Sequence, residues 1–481
     1  MRIYLISILF YLTAQAQSRE KGNPENPVDR LKNDIPLLMK KADIPGISIA
    51  VIKNGSLLWT GVYGVVKADS RRPVSPGTVF EAASLSKPVF AYAVLRLADA
   101  GMLNLDSPLN RYLGNNYDVV DDSRINQITA RRVLSHTSGF PNWRENDNTD
   151  KLLIHFNPGE KFSYSGEGMV YLSRVVEKIT GMDFEDFMQK WALVPLGMKS
   201  SSYIWRDGYD SLKVYRHDLL GRANGRSQPA PGKEGKIKQR GNAAASLSAN
   251  AVDYAKFLIA LLRGKGLKKA TWEEMVRPQI RVDDKYPELA WGLGVGLETM
   301  PGGEYIWHWG DNGDAKAYFS AFLPSGDAVV YFANSANGLS ITREISKDVF
   351  GREGPALDHL NYDRYDAPAR LLLKSILEKD ALTALNGYLE KRKTDSAVRI
   401  PESSMNELGY YLLGSKKIDD ALVIFYQNCL DFPGSWNVWD SLAEAYLDKG
   451  NKDLALSYYQ KSLDLNPKNA NAAEQIKKLK P

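Results

Sequence analysis

The chain has 481 residues and a nearly balanced charge, with 62 basic and 57 acidic side chains and a formal net charge of +5. Its length exceeds that of one ordinary domain. The basic residues are spread along the sequence, which argues against nucleic acid as a partner. The single cysteine, Cys429, excludes an internal disulfide and a cysteine-rich metal site, and the five histidines show no paired metal-ligand spacing. We therefore expect no metal and no other cofactor.

Residues 1–16 have the pattern of a secretory signal peptide. A short positive end, Met1-Arg2, precedes an apolar run from Ile3 to Leu12 and the small-x-small cleavage site Ala14-Gln15-Ala16. The apolar run is too short to span a bilayer, and no later stretch approaches the roughly 20 apolar residues that a membrane helix needs. We expect cleavage after Ala16 and a periplasmic or secreted protein without a membrane span.

Strand patterns occur at both ends of the next part of the chain. Ile47 to Ile52 and Leu57 to Tyr63 flank Asn54-Gly55, which is a strong hairpin signal. A second set lies around Leu293 to Glu298, Tyr305 to Trp309, Ala317 to Leu323 and Ala328 to Phe332. The turn residues Pro324-Ser325-Gly326-Asp327 separate the last two strands. The pattern predicts one sheet assembled from both ends of a domain that covers residues 27–351.

Helical patterns lie between the two sets of strands and predict an inserted helical region. One helix is expected to start near Ser84 and end at Gly101, and another to run from about Met169 to Ile179 and stop at Gly181. The stretch from about Asp207 to Gly241, rich in glycine, lysine and glutamine, is interpreted as a loop at the border of the cleft.

A linker composition over residues 352–370 precedes a helical repeat over residues 371–481. Seven positions recur 34 residues later with similar side chains: Met405, Leu408, Gly409, Leu412, Ala421, Phe425 and Pro433 correspond to Trp439, Leu442, Ala443, Tyr446, Ala455, Tyr459 and Pro467. This period resembles the tetratricopeptide repeat, a helix-turn-helix unit. The resemblance implies an all-α domain, with a degenerate helix pair over Leu371 to Lys393 and a capping helix over Ala470 to Lys480. A stabilising or dimerising appendage and a groove for a protein or peptide partner are both open interpretations.

The most informative chemistry lies in Ser84-Leu85-Ser86-Lys87. If a helix begins near Ser84, the three-residue offset places the hydroxyl and the amine on one face. A serine is a poor nucleophile, and a lysine is a poor base until burial or positive charge lowers its pKa from about 10.4. The pattern has an ordinary alternative, a capping serine with a solvated lysine, and the same spacing recurs at Ser18 and Lys21.

Two further segments give this pair a context. Lys161 to Gly166 places Tyr164 just before the second helix, and Tyr305 to Gly310 places His308 on a strand. In this order the three segments resemble the motifs Ser-x-x-Lys, Tyr-x-Asn and Lys- or His-x-Gly of the class C β-lactamase and D-alanyl-D-alanine peptidase superfamily of serine hydrolases. Further signatures in the order of that family are Leu134 to Gly139, Pro158-Gly159-Glu160, Pro195 to Met198 and Trp291 to Gly294.

The resemblance covers roughly residues 30 to 350 and implies an α+β fold, an antiparallel sheet flanked by helices. It also implies that Ser84 forms an acyl-enzyme while Lys87 and Tyr164 handle the proton as one unit, with the identity of the base left open. His308 would orient Tyr164 or the carboxylate end of a substrate. Ordinary alternatives are a core tyrosine and a strand histidine. The implied substrate-binding positions are Gly166, Gly310 and Asp311, the last contributing its backbone N–H, together with that of Ser84, to an oxyanion hole.

Two departures from the family pattern bear on the substrate. Gly166 stands where many relatives have asparagine, so a side-chain amide is missing. His308 replaces lysine, and an imidazole attracts a carboxylate less than an ammonium does. Histidine at this position suggests peptidase- or esterase-like members. Lys316, further along the same turn region, could restore a positive charge, but we interpret it as a solvated surface lysine. We expect Asp311 and Asp314 to make this edge of the site acidic.

The sequence thus predicts an exported serine hydrolase that acts on an ester or amide through Ser84. D-amino-acid peptides, β-lactams and small esters are all admissible substrates. One alternative is a penicillin-binding or sensor protein that is acylated without turnover. Another is a repeat-based scaffold with a vestigial hydrolase domain, against which the intact set of Ser84, Lys87 and Tyr164 argues.

Overall fold

The structure is a computed structural model that describes residues 26–114, 117–119, 121–144, 151–226 and 240–480. The signal peptide predicted for residues 1–16 and the middle of the loop predicted for residues 207–241 lie outside these ranges. Within them, no helix combines the length and the apolar character that are needed to cross a bilayer.

An eight-stranded antiparallel sheet, with strand order β2-β1-β10-β9-β8-β7-β6-β5, forms the centre of the larger domain. A two-stranded sheet, β3-β4, lies apart from it. The strands are β1 Gly46–Lys53, β2 Ser56–Gly64, β3 Phe80–Glu81, β4 Ser248–Ala249, β5 Ile280–Asp283, β6 Tyr286–Trp291, β7 Gly296–Met300, β8 Gly303–Asp311, β9 Lys316–Phe322 and β10 Asp327–Ala333. The predicted assembly of one sheet from early and late strands is confirmed, because β1 pairs with β10.

The two predicted turns are also confirmed. Asn54 and Gly55 both have positive φ, +50° and +67°, as the tight turn between β1 and β2 requires. Gly326 has φ +69° between β9 and β10, and its N–H donates to the carbonyl of Phe322 at 2.9 Å. Strands β5 and β6, the last two at one end of the sheet, were not predicted, because Pro287 interrupts the pattern and only two of their residues, Leu289 and Trp291, are buried.

Helices cover both faces of the sheet, and a further set of helices forms the C-terminal repeat region. They are α1 Pro27–Lys41, α2 Ser86–Asp99, α3 Asn110–Leu113, α4 Ala130–Leu134, α5 Gly166–Thr180, α6 Phe184–Met188, α7 Val194–Leu196, α8 Tyr209–Leu212, α9 Ala251–Leu262, α10 Lys269–Met275, α11 Thr342–Phe350, α12 Pro355–Leu360, α13 Pro368–Glu378, α14 Ala381–Thr394, α15 Glu402–Gly414, α16 Ile418–Asp431, α17 Trp436–Asp448, α18 Lys452–Leu465 and α19 Ala470–Leu479. Successive β1 side chains alternate between two cores. Ile47 and Ile49 pack with α1 and α11, whereas Ala50 and Ile52 pack with α2 and α9.

The segment expected to be a linker contains a helix. Leu357 of α12 packs into the core beneath α1 and α11, and Ala356 packs beside Trp291 and Trp307. Its backbone N–H donates to the Glu298 carboxylate at 3.3 Å. Residues 352–370 therefore follow the surface of the larger domain instead of spacing the two domains apart.

The C-terminal helices reproduce the period of the sequence. α15 and α17 begin 34 residues apart, at Glu402 and Trp436, as do α16 and α18 at Ile418 and Lys452. A Cβ on Gly409 would lie 2.5 Å from the Phe425 ring, which explains why a small residue stands where the paired helices approach each other. The predicted all-α repeat region is confirmed.

Candidate active site

Ser84 lies in a short 3-10 turn, Ala83–Leu85, immediately before α2. Within the continuously described stretch Thr78–Leu95, it is the one residue that is not buried. Ala83 has φ +48°, a left-handed conformation that costs free energy in a residue with a Cβ. The turn thus exposes one hydroxyl from an otherwise buried segment.

Three side chains hold this turn in place. The Ser86 hydroxyl donates to the Ala83 carbonyl at 2.5 Å and accepts from the backbone N–H of Leu247 at 2.9 Å. The hydroxyls of Tyr203 and Tyr254 donate to the carbonyls of Ser86 and Leu85 at 2.7 and 2.9 Å. The Ser84 backbone is consequently anchored from distant parts of the chain.

Lys87 is fully buried, and its amine points at Ser84. Its Nζ lies 3.0 Å from Ser84 Oγ and 2.8 Å from the carbonyl oxygen of Ala244. Burial lowers the pKa of Lys87 to about 7. A neutral amine can donate one N–H to Ala244 and still offer its lone pair to the Ser84 proton. The geometry therefore suits a base beside a nucleophile.

Tyr164 stacks beside this pair. Its ring centroid lies 4.7 Å from Lys87 Nζ, and burial raises the pKa of its phenol. Among the described residues its hydroxyl makes no hydrogen bond of good geometry, although Ser84 is near enough to oppose the rise in pKa. His136 braces this segment: its Nδ1 accepts from the Ser165 N–H at 3.1 Å, and its carbonyl oxygen accepts from the Ser163 N–H at 2.8 Å.

His308 is buried on β8, and its ring centroid is 6.1 Å from that of Tyr164. Its Nδ1 lies 2.7 Å from the carbonyl oxygen of Trp309 and must donate to it, which leaves Nε2 as an acceptor. Burial, assisted by the nearby charge of Lys87, lowers the pKa of His308 to about 3. The imidazole is therefore uncharged at neutral pH.

The two glycines of the motifs are required by close approaches. A Cβ on Gly310 would overlap the carbonyl oxygen of Ala82, so strand β8 lies directly against the turn that carries Ser84. A Cβ on Gly166 would lie 2.7 Å from the ring of Trp143. Trp143 thus fills the space that an asparagine at position 166 would need, which gives a physical reason for this departure from the family pattern.

The backbone N–H of Asp311 points away from β9. Because the Asn312 N–H donates to the Ala315 carbonyl at 3.0 Å, the alternation of an antiparallel ladder directs the Asp311 N–H to the opposite edge of β8. Pairing with β7 ends at Trp307 and Gly296, so that edge of β8 has no strand beside it in the described chain. This leaves a backbone donor on the side of Ser84.

The interpretation of Lys316 as a solvated lysine was wrong. Lys316 is only 7% exposed and forms an ion pair with Asp311, its register partner across the β8–β9 ladder. The Asp311 carboxylate also accepts from the Tyr362 hydroxyl at 2.7 Å and from the Gly313 N–H at 2.8 Å. This edge is less acidic than we expected, because the positive charge of Lys316 balances the negative charge of the Asp311 carboxylate.

Glu81 marks a second charged cluster, which the sequence did not indicate. Its carboxylate accepts from Arg216 Nε at 2.8 Å and lies 3.9 Å from Lys213 Nζ. Asn312 bridges Glu81 and the carbonyl of Ala245, at 3.3 Å each. Asn312 thereby links the end of β8 to Ala245, the neighbour of Ala244, whose carbonyl oxygen contacts the amine of Lys87. No short motif signals these contacts, since the residues are far apart in the chain.

An antiparallel sheet with a serine, a lysine and a tyrosine meeting at the start of a helix is the architecture of the β-lactamase-fold serine hydrolases. The chain belongs to the β-lactamase family, whose model matches residues 31–346. A tetratricopeptide repeat matches residues 436–469. Both resemblances inferred from the motifs are confirmed.

Two known bacterial proteins are similar to parts of this chain. Protein flp of Staphylococcus aureus (strain MW2) is 30% identical over 201 residues, 38% of this chain and 39% of that protein. Penicillin-binding protein 4* of Bacillus subtilis (strain 168) is 29% identical over 174 residues, 32% of this chain and 37% of that protein. The chain thus spans less than half the length of these curated relatives.

A solved structure shows the same fold. EstCE1, described as a hydrolase with promiscuous acyltransferase activity, has a TM-score of 0.60 and 18% identity, and the match covers 68% of this chain and 98% of EstCE1. At this identity the likeness concerns the fold alone.

Proposed function

We propose that this protein is an exported serine hydrolase that cleaves an ester or amide through an acyl-enzyme on Ser84. The observation that carries the proposal is the 3.0 Å contact between Ser84 Oγ and the buried amine of Lys87, whose pKa is lowered to about 7. A neutral amine so placed converts an unreactive hydroxyl into a nucleophile.

The reaction follows from these positions. Ser84 Oγ bonds to the substrate carbonyl carbon, its proton passes to Lys87 Nζ, and the carbonyl oxygen gains the negative charge beside the backbone N–H groups of Ser84 and Asp311. Collapse of this intermediate breaks the bond to the leaving group, which takes the proton from Lys87. A water molecule then attacks the acyl carbon and passes a proton to Lys87 Nζ. The bond between the acyl carbon and Ser84 Oγ breaks, Oγ takes that proton back, and the acid product leaves. Lys87 suits the role of base better than Tyr164, because burial raises the pKa of the tyrosine.

The charges around the site favour an uncharged substrate over one that ends in a carboxylate. His308 is neutral, Lys316 is paired with Asp311, and Lys213 and Arg216 lie against Glu81. To bind one of these cations, a substrate carboxylate would have to compete with the carboxylate of Asp311 or Glu81 that already pairs with it. We therefore rank neutral esters and amides ahead of peptides with a free D-alanine terminus.

A substrate panel tests this proposal. Purified full-length protein is assayed with a chromogenic acetate ester, a chromogenic cephalosporin and a D-alanyl-D-alanine peptide, alongside Ser84→Ala. We expect the ester to be turned over and Ser84→Ala to lose at least about a thousandfold in kcat/KM. A stable penicillin adduct without turnover would instead favour a penicillin-binding protein. Equal activity in wild type and Ser84→Ala would rule out Ser84 as the nucleophile.

Export and partner binding complete the proposal. The pattern of residues 1–16 supports secretion, and N-terminal sequencing of the mature protein should begin at Gln17. If the protein retained Met1 after expression in a secreting host, the signal would be refuted.

The repeat region supports contact with a protein or peptide, since its helices expose Tyr410, Tyr426 and Trp436.

A further inference from the structure

The segment that connects the two domains reaches the end of strand β8. After α12, Asn361 adopts a left-handed conformation with φ +51°, which turns the chain and sends Tyr362 back toward the sheet. The family match ends at residue 346, so Tyr362 lies beyond the part of the chain that defines the family.

Tyr362 closes a network on the last rung of the β8–β9 ladder. Its hydroxyl donates to Asp311 Oδ2 at 2.7 Å, and its ring centroid lies 5.6 Å from Lys316 Nζ. Lys316 pairs with the other oxygen of the same carboxylate. Tyr362 is half-buried, and burial together with the Asp311 charge raises the pKa of its phenol, so the hydroxyl stays a donor at neutral pH.

The same rung lies beside the nucleophile. Gly310, the residue before Asp311, packs against Ala82 and Ala83, which lead directly into Ser84. The N–H of Asp311 points away from β9 on this unpaired edge. We therefore expect a change in the side chain of Asp311 to act on this backbone donor.

We propose that Tyr362 is a positioning residue of the hydrolase site, which acts through the Asp311 carboxylate to hold the Asp311 N–H toward the oxygen of the reacting carbonyl. This inference rests on the proposed function. It extends the catalytic unit beyond the family match, into the segment that joins it to the repeats.

The test compares full-length wild type with Tyr362→Phe, which removes the hydroxyl and keeps the ring. The readouts are the rate of Ser84 modification by a fluorophosphonate, followed by intact mass, and kcat and KM for the ester. We expect the modification rate and kcat to fall about tenfold, because a hydrogen bond to a charged group is lost, with KM within about twofold. Tyr365→Phe is the matched control: its ring lies 5.9 Å from Lys41 Nζ, and we expect wild-type rates.

A double-mutant cycle with Asp311→Asn separates positioning from general destabilisation. If Tyr362 acts through Asp311, Tyr362→Phe will add little to the defect of Asp311→Asn. If the two defects multiply, the route through Asp311 is wrong. Equal rates for wild type and Tyr362→Phe would overturn the inference while leaving the proposed function intact. Failure of wild type to react with the fluorophosphonate and to turn over the ester would instead refute the proposed function.

Discussion

At the scale of single residues, the site is an uncharged interior around one accessible hydroxyl. Burial lowers the pKa of Lys87, His136 and His308 and raises that of Tyr164, so each of these groups is displaced toward its neutral form. Only Lys87 is displaced to a value near neutral pH. Of these four groups, Lys87 is therefore the one whose protonation changes over the physiological pH range.

This predicts the pH dependence of Ser84 acylation. Below pH about 7 the amine of Lys87 is protonated and cannot accept a proton, so the second-order rate should fall tenfold per pH unit, and above that value it should level off. The measurement is the rate of fluorophosphonate labelling between pH 5 and about 9. Lys87→Ala should lower the labelling rate on the plateau by about 10²- to 10⁴-fold and abolish the change in rate around pH 7. A step retained in Lys87→Ala would assign the titration to another group.

At the scale of elements, the site depends on the contact between the end of β8 and the start of α2. Gly310 allows this contact because a side chain there would overlap the Ala82 carbonyl oxygen. The strained Ala83 lies in the same contact, so a displacement of β8 acts on the residue that precedes the nucleophile.

Gly310→Ala should therefore damage both stability and acylation. Overpacking at such a contact costs about 1–3 kcal/mol in the free energy of unfolding, and the labelling rate of Ser84 should fall with it. Urea unfolding and fluorophosphonate labelling measure the two effects. Gly77→Ala is the control, because Gly77 is exposed and has no atom within 4 Å of an added Cβ. A Gly310→Ala protein as stable and as reactive as wild type would refute this account of the contact.

Elements with a strong local pattern were predictable from the sequence. The β1–β2 hairpin follows from Asn54-Gly55, and the 34-residue repeat fixed the spacing of α15 to α18. Strands β5 and β6 were missed, since β6 contains a proline and the two strands bury few residues. The burial of Lys316 could not be predicted from its neighbours in the sequence. Its amine contacts Asp311 on the adjacent strand and the ring of Tyr362, which is distant in the chain.

At the scale of the whole molecule, distant parts of the chain converge on Ser84. The motif residues share an order with the family, so Ser84, Lys87, Tyr164 and His308 could be named from the sequence. The partners that orient them could not, since Ala244, Tyr254 and Tyr362 carry no motif and reach the site only through tertiary packing. The connecting segment is one such case: its composition suggested a linker, whereas its helix and Tyr362 pack on the larger domain.

The proposed function depends most directly on Ser84 being a nucleophile that becomes covalently modified. The direct measurement is the intact mass of the full-length protein after incubation with a fluorophosphonate and, separately, with a penicillin, followed by peptide mapping of any adduct. We predict one fluorophosphonate adduct per chain, mapped to Ser84 and absent from Ser84→Ala, whatever the fate of the penicillin. An unmodified wild-type protein with both reagents, or an adduct that persists in Ser84→Ala, would contradict the claim.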